Sequence, residues 1–346
     1  MISQTIMKTP TVKDVAREAG VSTATVSRVL SGKEGVSEDK RLRVLAAIER
    51  LGYRPNAVAR SLRMESTRTL GLVISNVTNP FFTEVARAVE DEAAREGYSL
   101  ILGNADEDPA KEELYLNVLL QKQVDGILLS PARSDAPHLL KVVGGRVPVV
   151  FLDRSIDGAA GVPVVRADGR RAVDSLVEHL TGLGHRRLAI ISGPREIISG
   201  RERLEAFLNA AGRRGIRIPD EYIKFGNFRR SSGLEAMRKL LALAEPPTAV
   251  FAANNLMALG ALQALEEAGV RIPQEISFAS FDDVPWFGLL KPPITAVAQP
   301  TRALGASAAS LLIEMIRERK STKGPEPMEA QLVIRGSCGP VREGVR

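Results

Sequence analysis

The sequence predicts an α/β protein with an appended head: an N-terminal all-α helix-turn-helix module and a short following helix, then a two-lobed core of doubly wound parallel α/β layers. Three observations lead there. The chain has 346 residues, which is two domains and a remainder at roughly 150 residues per domain. Its net charge of +6 is localised: residues 1–68 hold 13 Lys and Arg against 7 Asp and Glu, and the rest balances at 34 against 34. Beyond residue 68, short apolar runs alternate with longer amphipathic stretches, the rhythm of buried parallel strands covered by helices. A basic head on a neutral body implies that the head faces a polyanion and the body something else.

The head is read from its caps. Thr11 can cap a helix with Asp14 as reciprocal partner three positions on, and Val12, Val15, Ala16 and Ala19 recur on one face. Gly20 ends that helix. Ser22 can cap a second, residues 23–30, with Val26, Val29 and Leu30 inward. Two helices across a Gly-containing turn make a helix-turn-helix. The second helix leaves Thr23, Ala24, Thr25, Ser27 and Arg28 outside its core face. Small and hydroxylated residues let a helix sit deep in a major groove, and an arginine can bond a guanine edge in bidentate fashion. A third helix, residues 38–51 with Ser37 as cap, is expected to close the small core through Leu42, Leu45, Ile48 and Leu51. Pro55 then opens a segment to Leu62 of about two turns, below the ~12–15 residues that an isolated helix needs.

The run from Thr11 to Leu30, followed by Val36-Ser37 and Leu51-Gly52-Tyr53-Arg54-Pro55-Asn56, closely resembles the lactose-repressor (LacI/GalR-type) family of bacterial transcription regulators. That resemblance implies that residues 55–62 form a hinge helix which orders in the minor groove when two copies pair. Asn56, Ala59 and Leu62 are its DNA-facing positions, with Leu62 as the wedge between base pairs.

In the body, strands are expected at 70–75, 99–103, 126–130 and 147–152, with helices near 82–96 and 109–122. A second set at 188–192, 222–225, 248–252 and 276–281 alternates with helices near 169–183, 203–214, 232–244 and 256–268. Ligands in such folds sit beyond the carboxyl ends of strands. Those ends lead to Asn79, Phe81 and Phe82, to Asp153 and Arg154, to Asn254, to Asp282 and to Gln299. Carboxylates, amides and arginines beside aromatic faces suit a neutral ring with many hydroxyls, which needs both donors and acceptors. The body also resembles the family core, which is similar to periplasmic sugar-binding proteins. By that resemblance the effector positions are Asn79, Phe81, Phe82, Asp153, Arg154, Arg203, Phe228, Asn254, Asp282 and Gln299, a set most like that of ribose-binding members. Asp106-Glu107-Asp108 before Pro109 reads as acids at a helix start, Arg170-Arg171 and Arg213-Arg214 as solvated faces, and His185 as structural.

The expected organisation is a DNA-binding domain over 1–54, hinge and linker over 55–67, a core over 68–340 and a tail over 341–346. Within the core, one lobe takes about 68–162 and 299–322, the other about 163–298 and 323–340. The resemblance implies a repressor that binds a palindromic operator as a homodimer and is released by a small sugar such as ribose. An enzyme is not expected: the sequence holds no phosphate loop, nucleophile elbow or metal-spaced histidine cluster, and Asp282-Asp283 is the one close carboxylate pair at the proposed site. No cofactor and no metal are expected. A single cysteine, Cys338, and the absence of a leader-like or membrane-length apolar run point to a cytoplasmic protein with no membrane partner.

Overall fold

The computed structural model describes residues 10–30, 34–53, 66–320 and 322–341. The hinge positions Asn56, Ala59 and Leu62 lie outside the described residues. The chain divides into two compact units, residues 1–67 and 68–346.

In the first unit, α1 (Val12–Ala19), α2 (Thr23–Leu30) and α3 (Glu38–Leu51) surround a core of Val15, Ala16, Ala19, Val26, Val44 and Ala47. The Thr11 backbone N–H donates to Asp14 Oδ2 at 2.9 Å. Gly20, at φ +63°, closes α1, and the Thr25 N–H donates to Ser22 Oγ at 3.2 Å at the start of α2. The face of α3 departs from expectation. Val44 and Ala47 are buried, with Ile48 and Leu51 packed beside them, while Leu42 and Leu45 are 59% and 46% exposed. Spacings of three and four both suit a helix, so two apolar stripes competed for one small core.

The second unit opens with β1 (Thr69–Ile74), α4 (Pro80–Arg95), β2 (Ser99–Asn104), α5 (Pro109–Gln121), β3 (Gly126–Leu129), α6 (Pro137–Val143), β4 (Val149–Leu152) and β5 (Val164–Val165). These strands form a parallel sheet in the order β2-β1-β3-β4-β5. β5 pairs with β4, so the crossing to the second lobe falls at Arg166. β6 (Ala167–Asp168), α7 (Arg170–Gly182), β7 (Leu188–Ser192), α8 (Ile198–Arg213), β8 (Ile223–Phe225), α9 (Arg230–Leu241), β9 (Ala249–Ala252), α10 (Asn255–Glu267), β10 (Ser277–Phe281) and β11 (Thr295–Ala298) follow. The chain then returns with α11 (Thr301–Glu318), and ends in β12 (Met328–Glu329) and β13 (Gln331–Val333). The second sheet runs β13-β11-β10-β9-β7-β8, with β13 antiparallel at its edge, and β12 pairs with β6.

Each sheet is covered on both faces. Leu304, Ala308, Leu312 and Met315 of α11 join Phe82, Val85 and Val89 of α4 over one face of the first sheet, and Leu116 and Leu119 of α5 cover the other. Val173, Leu176 and Phe207 lie under the second sheet, and Met237, Met257 and Ala261 over it. Such double burial explains why the strands read as continuous apolar runs. The carboxyl ends of the two sheets' strands face the cleft between the lobes.

Candidate effector cleft and groove-reading helix

Two helix starts bring amides to the cleft. Asn79 caps α4, its Oδ1 accepting from the Phe81 N–H at 3.0 Å. Asn254 caps α10, its Oδ1 accepting from the Met257 N–H at 2.9 Å. Strand ends supply the acids: Asp153 follows β4 and Asp282 follows β10, at φ +64° and +68°. Phe228, in the loop before α9, has φ +60°. Three non-glycine residues in the left-handed region is the sort of strain that concentrates at functional sites. Gly193 makes room for one of them, since a Cβ there would lie 2.1 Å from the Phe228 ring.

Arg154 is buried and organises the first lobe's side. Its guanidinium donates to both oxygens of Glu107, at 2.7 and 2.9 Å, and to the Pro131 carbonyl at 3.3 Å. It lies 5.9 Å from the Phe82 ring centre and 5.3 Å from that of Phe228 in the opposite lobe. Burial works against its charge, but the Glu107 carboxylate outweighs this and raises its pKa. Arg154 Nε makes no hydrogen bond, and its ion-pair partner Asp153 Oδ2 stands 3.7 Å away. Phe81 and Phe82 meet edge to face at 5.0 Å.

The second lobe presents Arg203, which donates to the Ala253 carbonyl at 2.8 Å and stacks 3.8 Å from the Phe281 ring centre. Its guanidinium is 4.0 Å from Asp282. Asp282 accepts from Gln299 Nε2 at 2.6 Å, and burial raises its pKa against the pull of Arg203. Asp283 is turned elsewhere, held by both terminal nitrogens of Arg335 at 2.8 and 2.7 Å. The sequence neighbours Asp282 and Asp283 therefore do not act as a carboxylate pair.

The structure thus gathers Arg154, Asp153 and Phe82 on one side of the cleft and Arg203, Asp282 and Gln299 on the other, with Phe228 of the second lobe reaching the Arg154 guanidinium. Three residues were missed from sequence. Glu107 partners Arg154 instead of serving a helix start; of the acidic triplet only Asp108 caps α5, accepting from the Ala110 N–H at 2.8 Å. Asp106 binds across the cleft, its carbonyl accepting from Arg229 at 2.8 Å. Asn255 donates from Nδ2 to Asn79 Oδ1 at 2.8 Å, also between lobes. A third interlobe bond runs from the Ile198 N–H to Ser134 Oγ at 3.1 Å. The lobes are drawn together: the voids at the site are about 10 Å³ beside Phe81 and Asp282, and about 40 Å³ beside Asp153 and Arg203. On this measure about 10–15 Å³ holds one water, so these voids take one to a few waters and a ligand the size of a sugar fits only when the lobes part. A larger groove, about 540 Å³ and lined by Arg186, Pro247, Val270 and Pro273, lies at the amino ends of the second sheet's strands. It holds none of the ten effector positions expected from sequence, though His185 is on its wall.

In the head, Thr23, Ala24 and Arg28 are exposed and Thr25 and Ser27 half-buried, so α2 turns its small and hydroxylated residues away from Val26. Among the described residues no cluster of His, Cys, Asp and Glu is placed to hold a metal, and no helix is long and apolar enough to cross a membrane.

Comparison with known proteins matches residues 11–56 to the family model "Bacterial regulatory proteins, lacI family" and residues 177–338 to "Periplasmic binding protein-like domain". The chain is 38% identical over 309 residues to "Catabolite control protein A" of Priestia megaterium, covering 89% of this chain and 93% of that protein. It is 38% identical over 332 residues to the "Ribose operon repressor" of Escherichia coli strain K12, covering 95% and 99%. Among solved structures, the lac repressor dimer bound to operator and the anti-inducer ONPF superposes with a TM-score of 0.85 at 28% identity, covering 95% of this chain and 99% of that one.

Proposed function

The chain belongs to the lacI family of bacterial regulatory proteins, and from that premise we propose that it is an operator-binding homodimer released by a pentose, with ribose the leading candidate. As a member of that family it is a DNA-binding transcriptional repressor.

What supports the pentose reading is that Phe81, Asp282 and Gln299 line one void between the lobes and Asp153, Arg203 and Gln299 another, with the caps Asn79 and Asn254 at the adjoining helix starts and Arg154 near the Phe82 and Phe228 rings, a set of donors, acceptors and aromatic faces without a phosphate cradle. Paired acids and arginines hold each other in place, Arg154 on Glu107 and Arg203 beside Asp282, leaving the site near neutral. A neutral polyol fits that balance better than an anion. The ribose operon repressor's similarity over nearly the whole chain supports the same choice.

Major-groove contacts are assigned to Thr23, Ala24, Thr25, Ser27 and Arg28, and minor-groove contacts to Asn56, Ala59 and Leu62. Apolar side chains left exposed on both lobes, Leu102 and Leu114 on one and Trp286 and Leu289 on the other, support a second copy as partner. Sugar closing the lobes alters the spacing of the paired hinge segments, and a coupling of ~1–3 kcal/mol changes operator affinity about 5- to 150-fold.

The test is a mobility shift on a palindromic duplex, with titration of a pentose and hexose panel. Retardation reversed by ribose, with a stoichiometry of two chains per duplex, is expected. Retardation that no sugar reverses overturns the pentose reading.

A further inference from the structure

Asn255 is the first residue of α10, and three of its polar groups have different fates. Its backbone amide lies near the Asp282 carboxylate and favours the charged form. Its Nδ2 donates to Asn79 Oδ1, 2.8 Å away across the cleft. Its Oδ1 is buried with no protein partner. The amide orientation is determined by its neighbours. Asn79 Oδ1 already accepts from the Phe81 N–H at 3.0 Å, so it is an oxygen; turning the Asn255 amide would set two oxygens face to face. The orphan is therefore an acceptor, and it asks for a donor.

Its surroundings say which donor. Asn255 sits between Asn79 of the first lobe and Asp282 of the second, both within the proposed effector site. Asp282 Oδ1 is taken by Gln299, and the Arg203 guanidinium donates to the Ala253 carbonyl. A hydroxyl hydrogen on a ligand in the closed cleft meets the requirement, whereas an ether oxygen or a methylene does not.

We propose that Asn255 is a specificity-determining residue that accepts a hydrogen bond from one effector hydroxyl while clasping Asn79, so that closure and hydroxyl recognition are read by the same amide. This rests on the pentose reading above. It extends that reading to a residue outside the ten effector positions, and it assigns Asn255 discrimination between a free hydroxyl and its deoxy or O-methyl counterpart.

The experiment is calorimetric titration of the full chain with ribose, its single deoxy analogues and methyl riboside, on wild type, Asn255→Ala and Asn255→Leu. Operator retardation by each variant serves as the check on folding. In the wild type, the analogue lacking the recognised hydroxyl hydrogen binds about three- to tenfold more weakly, the scale of one neutral hydrogen bond. In both variants that one difference collapses while the other analogues keep theirs. Ribose binding with every analogue difference preserved in the variants overturns the role of Asn255 and leaves the pentose reading standing. Failure of the wild type to bind any pentose overturns both. Should neither variant retard DNA, ¹³C labelling of asparagine side chains decides on the wild type. A shift of the Asn255 carbonyl with ribose that is absent with the discriminated analogue supports the assignment, and no shift overturns it.

Discussion

His185 is buried with both ring nitrogens engaged: Nε2 donates to the Gly339 carbonyl at 3.0 Å and lies 2.8 Å from Ser277 Oγ, and Nδ1 meets Thr248 Oγ1 at 2.9 Å. It joins the segment before β7 to the chain's last described stretch, the structural role that the sequence suggested. Burial lowers its pKa below the ordinary histidine value of 6.5. An unfolded histidine takes a proton near that value while the folded one resists, so folding stability declines as pH falls below about 6.5. His179, lowered by the same cause, adds to the slope. The denaturation midpoint should drop between pH 7.5 and 5.5, and His185→Asn should flatten that dependence at a cost of about 1–3 kcal/mol from neighbours left unbonded. A midpoint that stays level with pH would contradict the account. Two further outcomes belong to single residues. Asp153→Ala should abolish ribose release while operator retardation persists, because a cleft acceptor is lost without touching the head. Arg28→Ala should cost about 1–3 kcal/mol on the specific operator and less on scrambled duplex, narrowing discrimination as seen by competition binding.

Between elements, glycines set the closest approaches. A Cβ on Gly260 of α10 would lie 1.9 Å from the Arg230 carbonyl, and one on Gly233 of α9 would lie 2.1 Å from the Met257 carbonyl. Both obstacles are backbone, so the helices would have to separate. Gly260→Ala should cost about 1–3 kcal/mol or more and weaken sugar binding too, since Asn255 and the residues after Phe228 begin these two helices. Gly212→Ala, on α8 with nothing within 4 Å of the added carbon, should be neutral or stabilising by under about 1 kcal/mol; thermal melts of both variants check the contrast. At this scale the sequence was legible where two signals agreed. Thr11 with Asp14 set the start of α1, and Pro80 and Pro109 mark helices whose caps, Asn79 and Asp108, precede them. It misled where one pattern had two solutions. Leu42 and Leu45 satisfy helical spacing as well as Val44 and Ala47 do. Asn254 and Asn255 are the same residue type side by side, and only cap geometry separates their tasks. Glu107 was hidden in a run of acids that all suited a helix dipole, and Arg203 and Phe228, away from strand ends, entered only through family resemblance.

For the core as a whole, the cleft is drawn shut by few bonds: Asn255 to Asn79, Ile198 to Ser134, and Arg229 to Asp106. The last is at the surface, with the Arg229 side chain 44% exposed and 3.3 Å from the Asp106 carboxylate. Such pairs contribute at most about 1 kcal/mol. Arg229→Ala should therefore shift the lobes toward the open form and weaken sugar binding about two- to fivefold without altering operator affinity in the absence of sugar. Calorimetry alongside the mobility shift measures the two separately; tighter sugar binding in this variant would show that the pair does not favour closure. The cleft's location was legible because strand ends identify it, whereas the closure bonds join residues far apart in sequence and had no local signature.

The interleaving of the two lobes bears on how the protein is made. A ribosome delivers the first sheet long before α11, whose Leu304, Ala308 and Leu312 cover it, and the second sheet lacks its β13 edge until Val333 emerges. During translation both halves wait with apolar surface open to the solvent, so a chain stalled near residue 300 offers holdase chaperones two unfinished sheets, while the head, complete by Tyr53, has already folded.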